Sequence, residues 1–191
     1  ATGALISTLS GHLRSTLAAH FSPDGMSMIT AGEDDTAQLW DVSTGAPLTI
    51  LRGHNGQVVT ASFSSDGTRL VTASLDGTAR LWDGQTAASL LTLKGHAGPV
   101  HVARFSPNGK QLVTASSDDT ARLWAVHDGK ELFTLSHGHA VHIAEFSPDG
   151  KHLSTAGNEV GSRLWDVKTG RMLFTFGGHP GPAFSTSFSA D

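Results

Sequence analysis

Short segments in which apolar and polar side chains alternate recur along the whole chain, and no segment has a convincing 3.6-residue apolar period. Alternation with a period of two predicts β-strands. In one unit the predicted strands are Val58–Phe63, Arg69–Ser74, Ala79–Trp82 and Ser89–Leu93, all rich in Val, Leu, Thr or aromatic residues. Ser-Asp-Gly separates the first two strands and Asp-Gly the next two, and glycine supplies the positive φ of such hairpin turns. The pattern predicts an all-β protein made of four-stranded antiparallel units.

The unit repeats at an almost constant interval. A Phe-Ser string, FSPDG or a close variant, begins at Phe21, Phe63, Phe105 and Phe146, and starts again at Phe188. Successive copies are 42, 42, 41 and 42 residues apart. A Leu-Trp string keeps the same phase, with Trp40, Trp82, Trp124 and Trp165. A single small sheet leaves apolar faces and strand edges exposed, so we expect the repeated sheets to stack around an axis.

These strings resemble the WD-repeat β-propeller family, whose units of 40–45 residues carry Gly-His and Trp-Asp signatures. Gly-His stands at 11–12, 53–54, 95–96 and 178–179, and Trp-Asp at 40–41, 82–83 and 165–166. The phrasing TASLDGTARLWD at 72–83 is similar to that of bacterial WD-repeat arrays. The resemblance covers essentially the whole chain and implies a β-propeller of four-stranded antiparallel blades.

The phase of the repeat predicts about four and a half blades. Residues 1–10 are expected to be the outer strand of a preceding blade, at Ala4–Leu9, and residues 178–191 the first strand of a further blade, at Ala183–Phe188. The whole blades are predicted at 11–52, 53–94, 95–135 and 136–177. We expect these blades to belong to a larger ring, commonly seven-bladed in this family, that the rest of a longer chain completes. The alternative is a half-ring that a second chain completes.

Four polar side chains recur together within the repeat. A histidine is followed by a threonine 18 residues later, an acid 4 residues after that, and a tryptophan 6 residues further on. Tryptophan only donates hydrogen bonds and a carboxylate only accepts them, so the order Trp, Thr, His, acid satisfies every member, and the family resemblance implies this same tetrad. The tetrads are His12, Thr30, Asp34, Trp40; His54, Thr72, Asp76, Trp82; His96, Thr114, Asp118, Trp124; and His137, Thr155, Glu159, Trp165. A catalytic Ser-His-Asp-like group would occur once in a cleft, so a set that occurs four times is expected to be structural.

The fourth unit departs from the others in spacing and composition. His137, rather than His139, is the predicted tetrad histidine, because it precedes Phe146 by the same nine residues that separate each other tetrad histidine from its Phe-Ser string. Glu159 is one methylene longer than aspartate, which predicts a distorted fourth tetrad. In the third unit, Ala125 replaces the aspartate after tryptophan and removes a turn acceptor.

Five of the eleven histidines, His137 among them, occupy the Gly-His position of the repeat, and six lie elsewhere. His137, His139 and His142 form an H-x-H-x-x-H string that could suggest zinc. His137 belongs to a tetrad, however, and residues 139 and 142 face opposite sides of a strand, so we expect neither a metal nor a cofactor. His101 and His142 both stand five residues after a tetrad histidine. They are either exposed polar strand ends or part of a pH-sensitive, ligand-facing patch.

The family resemblance implies that partners bind the propeller face that carries the Gly-His loops and the acid turns. The implied positions are three and five residues after the tetrad histidine and one residue before the tetrad acid. They are Ser15, Gln57, Pro99, Ala140 and Pro182; Leu17, Val59, His101, His142 and Phe184; and Glu33, Leu75, Ser117 and Asn158. Leu17, Val59, Leu75 and Phe184 are apolar where solvent is expected. They indicate either a protein partner or packing within the loops.

Composition, charge and the lack of certain motifs argue against several classes of partner and site. The net charge is −4 and no basic stripe occurs, so we expect no nucleic-acid partner. No apolar stretch reaches the roughly 18–20 residues of a membrane span, and the absence of cysteine excludes disulfides and thiolate metal sites. No phosphate loop, zinc-protease helix or nucleophile elbow is present. We therefore expect a cytoplasmic, non-catalytic scaffold that binds a protein or peptide. The alternative is the regulatory or sensor region of a larger signalling protein with a kinase, protease or nucleotide-binding switch domain.

Overall fold

The computed structural model describes residues 5, 7–159, 161–177, 181–183 and 185–189, and within them it contains four separate four-stranded antiparallel sheets. The first sheet comprises β1 (Thr16–Phe21), β2 (Ser27–Gly32), β3 (Ala37–Asp41) and β4 (Pro47–Leu51). The second comprises β5 (Val58–Phe63), β6 (Arg69–Ser74), β7 (Ala79–Asp83) and β8 (Ser89–Leu93). The third comprises β9 (Val100–Phe105), β10 (Gln111–Ser116), β11 (Thr120–Ala125) and β12 (Glu131–Ser136). The fourth comprises β13 (Val141–Phe146), β14 (His152–Gly157), β15 (Ser162–Asp166) and β16 (Met172–Phe176).

The predicted all-β class and the four-stranded antiparallel unit are confirmed. In the second sheet the strands agree with the sequence pattern except that β7 continues one residue further, to Asp83. The turn after each Phe-Ser string places its glycine in the left-handed region, with φ of 72° at Gly25 and 71° at Gly67. A side chain is strained at such a φ, which is why the string ends in glycine.

The core lies between consecutive sheets. Strands β1 and β2 contact β5, β5 and β6 contact β9, and β9 and β10 contact β13. Each interface buries a leucine at the end of an outer strand, so that Leu51, Leu93 and Leu135 are only 2%, 4% and 3% exposed. Among the described residues the four sheets form a series that is not closed into a ring. An incomplete ring was expected, and the number of blades in a complete ring stays a prediction.

The two end segments were predicted to be single strands of neighbouring blades. Part of Ala4–Leu9 lies outside the described residues, and those that are described there, Leu5 and residues 7–9, are not in a strand. The described part of 183–188 is not in a strand either, although Thr186 Oγ1 lies 2.7 Å from Ser154 Oγ of β14. A strand needs a partner strand for its backbone hydrogen bonds, and a lone segment has no sister strands. In the part of the chain that the structure describes, no helix is long and apolar enough to cross a membrane.

Candidate functional site

The second blade shows how the tetrad side chains are joined. Trp82 Nε1 donates to Thr72 Oγ1 at 3.0 Å, Thr72 Oγ1 lies 2.8 Å from His54 Nε2, and His54 Nδ1 lies 2.9 Å from Asp76 Oδ2. Because the indole can only donate, the Thr72 hydroxyl hydrogen is directed to His54, and the Nδ1–H of His54 is left for Asp76. The chain of bonds links strands β6 and β7 to the loop before β5.

The same connections are present in the other three blades. Tryptophan Nε1 lies 2.7–2.9 Å from threonine Oγ1, and threonine Oγ1 lies 2.7–2.9 Å from histidine Nε2. Histidine Nδ1 lies 2.9 Å from the acid in the first blade and 2.8 Å in the third, and in the fourth blade His137 Nδ1 is bonded to Glu159. The structure thus brings together all sixteen residues, and His137 rather than His139 occupies the tetrad position.

The aspartates also bind groups that sequence reasoning missed. Thr78 Oγ1 donates to Asp76 Oδ1 at 2.7 Å, and the backbone N–H of Asn55 donates to Asp76 Oδ2 at 3.0 Å. Thr36 and Thr120 make the equivalent bonds in the first and third blades. The sequence feature that could have predicted these bonds is a threonine two residues after each tetrad aspartate. These extra donors attach the acid turn firmly to the Gly-His loop.

The sequence predicted a distorted fourth tetrad. In the structure, this tetrad differs from the other three in the groups that donate hydrogen bonds to its acid. Gly161 stands where the other blades have this threonine, so the structure provides no hydroxyl at that position. Arg163 Nη2 instead donates to Glu159 Oε2 at 2.7 Å. The longer acid therefore keeps its bond to His137 and exchanges a neutral donor for a charged one.

Ala125 has the predicted local effect on its turn. In the second blade Asp83 Oδ1 accepts the backbone N–H of Thr86 at 2.7 Å. Ala125 has no side-chain acceptor, and that turn keeps the backbone bond from Gly129 N–H to Ala125 O at 2.9 Å.

Burial and hydrogen bonds shift the pKa values of several tetrad side chains. Burial lowers the pKa of His54, His96 and His137, although hydrogen bonds and charge from the adjacent acids partly oppose it. For Asp76, burial would raise the pKa, but hydrogen bonds from Thr78, the Asn55 backbone and His54 outweigh it and lower the pKa to about 2. The pKa of Asp34 and of Asp118 is likewise about 2. At neutral pH the second and third tetrads therefore pair a neutral imidazole with an ionised carboxylate.

The tetrad geometry does not suit nucleophilic catalysis. A nucleophile must be reached by its substrate, whereas the Thr72, Thr114 and Thr155 side chains are 0% exposed and Thr30 is 5% exposed. Among the described residues, no group of three or more histidines and acids is placed to hold a metal ion. The tetrads connect the Gly-His loop, the inner strands and the acid turn of each blade.

Backbone hydrogen bonds assemble the predicted partner-binding face. Leu75 N–H donates to Gln57 O at 3.0 Å. The corresponding pairs in the other blades are Glu33 with Ser15, Ser117 with Pro99, and Asn158 with Ala140. In every blade, the position before the acid therefore lies beside the position three residues after the tetrad histidine. Phe184 lies outside the described residues, and Pro182 is exposed.

The first two blades carry the apolar part of this face. Leu17 is 42% exposed and Leu75 is 37% exposed. Val59 is partly buried and packs against the core between the second and third sheets. The sequence left open whether these apolar side chains pack within the structure or meet a partner. Val59 packs within the structure, whereas Leu17 and Leu75 are exposed to solvent.

The third and fourth blades carry a polar part. His101 Nε2 lies 2.6 Å from Ser117 Oγ, and His142 Nε2 lies 3.0 Å from Asn158 Oδ1. The two imidazole rings are neighbours across the blade boundary, with centroids 4.7 Å apart. Burial, with a contribution from His142, lowers the pKa of His101. The histidines are thus held in a hydrogen-bonded cluster, and their pH sensitivity stays a proposal.

Comparison with known families agrees with this architecture. The family model described as "WD domain, G-beta repeat" matches four repeats, at residues 3–41, 45–83, 87–125 and 129–160. A search of curated proteins gives no match. The first three matched repeats end just after the tetrad tryptophan of a blade, the fourth ends before Trp165, and together the four repeats cover most of the sequence. The chain therefore belongs to the WD-repeat family.

Proposed function

We propose that this chain is a non-catalytic scaffold that binds a protein or peptide through the face at the Gly-His end of its blades. WD repeats are generally protein-interaction modules. The observation that carries the proposal is the exposure of Leu17 and Leu75 on neighbouring blades, at positions that the loops hold open to solvent. Exposed apolar side chains on a rigid support favour a partner with apolar groups of its own.

The tetrads supply the rigidity that such a face needs. Asp76 holds the backbone of the Gly-His loop at Asn55 and the acid turn at Thr78 at the same time. A surface that is ordered before binding loses less conformational entropy when its partner arrives. Tetrad changes should therefore weaken binding indirectly, by loosening the face.

The face offers two kinds of contact. Leu17 and Leu75 suit an apolar side chain of the partner, and the cluster of His101, Ser117, His142 and Asn158 suits a polar segment. A short extended peptide with an apolar anchor at one end and polar groups at the other fits this arrangement. Hydrogen bonds to the polar cluster would fix its direction.

We further propose that additional blades complete the ring, supplied by the rest of a longer chain or by a second chain. Phe176 occupies the position of Leu51, Leu93 and Leu135, yet it is 53% exposed. Thr186 lies against Ser154 on the same side of the fourth sheet. Both observations support a neighbouring blade on this side.

The binding proposal is tested by selecting peptides from a displayed library against the chain and measuring their dissociation constants. Replacing Leu17 and Leu75 together by aspartate should weaken the selected peptides at least tenfold. Met26→Asp is the matched control, because Met26 is 62% exposed in the turn at the opposite end of the first sheet. Binding that survives the double change but is lost in Met26→Asp would contradict the proposal.

A further inference from the structure

A cavity of about 410 Å³ lies between the second and third blades, at the end opposite the Gly-His loops. Its walls are the turn from β5 to β6, the turn from β9 to β10, and the start of the turn after β11. Ser65 Oγ donates to Pro107 O at 2.8 Å and joins the first two turns across the blade boundary. This bond fixes the two turns relative to each other, and the volume of the cavity is within the range of about 300–1,000 Å³ typical of small-molecule sites.

The next blade boundary contains an equivalent cavity with a different charge pattern. Between the third and fourth blades the lining includes Lys151, Lys168 and Asp166. Lys151 Nζ lies 3.2 Å from Asp149 Oδ2, so that lysine already has an acidic partner. Lys151 is thus paired with an acid of its own turn, and Asp166 adds a second carboxylate to the lining of this cavity.

The first cavity lacks both of these carboxylates. At equivalent positions of the repeat, the first cavity has Asn108 where the second has Asp149, and it has Ala125 where the second has Asp166. Asp66, on the opposite wall, stands where the second cavity has Asn108, so the first cavity has one acid fewer than the second. Lys110, which corresponds to Lys151, has a neutral amide where its counterpart has an acid.

Three nitrogen-bearing side chains line the first cavity: Arg69, Lys110 and His127. The acid among its lining residues is Asp66, whose Oδ1 accepts bonds from the Ser64 hydroxyl at 2.6 Å and from the Thr68 backbone at 3.0 Å. Asp66 therefore holds its own turn while keeping its negative charge, and Asp83 is paired with Arg69 in the sheet and interacts with its charge. His127 also lies within 3.1 Å of Asp128, which orients its ring at the rim.

We propose that this cavity binds a phosphoryl group, held by Arg69 and Lys110 with His127 at the rim. A guanidinium presents a fork of N–H donors that matches two phosphoryl oxygens, and an ammonium adds a compact positive charge. With one acid fewer than the second cavity, the first cavity repels an anion less strongly. The site is separate from the proposed partner-binding face, at the opposite end of the blades, and does not depend on it.

The test follows backbone amide signals by nuclear magnetic resonance while inorganic phosphate is added at constant ionic strength. The signals of residues 66–69, 108–110 and 126–127 should shift with one dissociation constant. Lys110→Gln should weaken binding at least tenfold. The double change Asn108→Asp and Ala125→Asp should do the same without unfolding the chain, since the sibling blade carries both aspartates. Lys151→Gln, in the sibling cavity, is the matched control and should leave the constant unchanged.

The source of the phosphoryl group is distinguished by a phosphoserine peptide and its unphosphorylated form. Tighter binding of the phosphopeptide than of phosphate would assign the site to a phosphorylated protein, and equal binding would assign it to a free phosphate compound. The proposal is overturned if acetate binds as well as phosphate, if Lys151→Gln weakens binding as much as Lys110→Gln, or if no shifts occur at these residues.

Discussion

The second and fourth blades have nearly the same sequence pattern but different surroundings. Both have four strands and a bonded tetrad, yet Leu93 at the end of β8 is 4% exposed and Phe176 at the same position of β16 is 53% exposed. Within each blade the repeat specifies the strands and the internal hydrogen bonds. The burial of the outer strand depends on the blade that follows. Local sequence and neighbouring blade therefore make separable contributions to stability.

The largest expected difference between these blades is in the cost of truncating the outer strand. Leu93→Ala should lower the free energy of unfolding by about 2–5 kcal/mol, because it leaves a cavity between two sheets. Phe176→Ala should cost less than about 1 kcal/mol, since half of that side chain already meets water. Urea unfolding of both variants at one low protein concentration checks this. Equal losses would show that the open side of the fourth blade is covered in solution.

A smaller effect is expected for the tetrads, and here the two blades should agree. Thr72→Val and Thr155→Val should each cost about 1–3 kcal/mol, because each leaves a buried indole N–H and an imidazole nitrogen without a partner. Thr60→Val is a matched control, since the Thr60 hydroxyl is buried and has no hydrogen-bond partner. It should be neutral or stabilising. A tetrad variant that is as stable as Thr60→Val would contradict the structural role of the network.

The sequence was sufficient to predict what the repeat imposes on every blade. Strands of the second blade agreed to within one residue, and the spacing alone identified His137 as the tetrad residue. It did not predict that Arg163 would bind Glu159, or that Val59 would pack inward while Leu75 stays exposed. The Arg163 bond depends on the conformation of the longer acid within its own blade, and the burial of Val59 depends on packing against the next sheet. The period of the repeat encodes neither of them.

Stability should also depend on pH in two steps. The pKa of His54 and of His137 is lowered from 6.5 in the folded chain, so the unfolded chain binds more protons as the pH falls through 6.5, and stability is lost there. The pKa of Asp76 is lowered from 3.8 to about 2, so its contribution is present above 3.8 and is lost as the pH falls toward 2. Asp76→Asn should reduce the second step, and it should enlarge the first, because the hydrogen bond and the charge of Asp76 raise the pKa of His54 in the folded chain. Free energies of unfolding that stay constant from pH 7 to pH 5 would contradict the histidine part.

The central claim is that the Gly-His end of the blades is the binding surface, and hydrogen–deuterium exchange on binding a selected peptide tests it most directly. The account predicts slower exchange in residues 13–17, 55–59 and 75–77, and unchanged exchange in the turns at 24–26, 66–68 and 108–110. Leu17 and Leu75 lie within the first set and Met26 in the second. Protection confined to the turns at the opposite end, with no change at the Gly-His loops, would contradict the account.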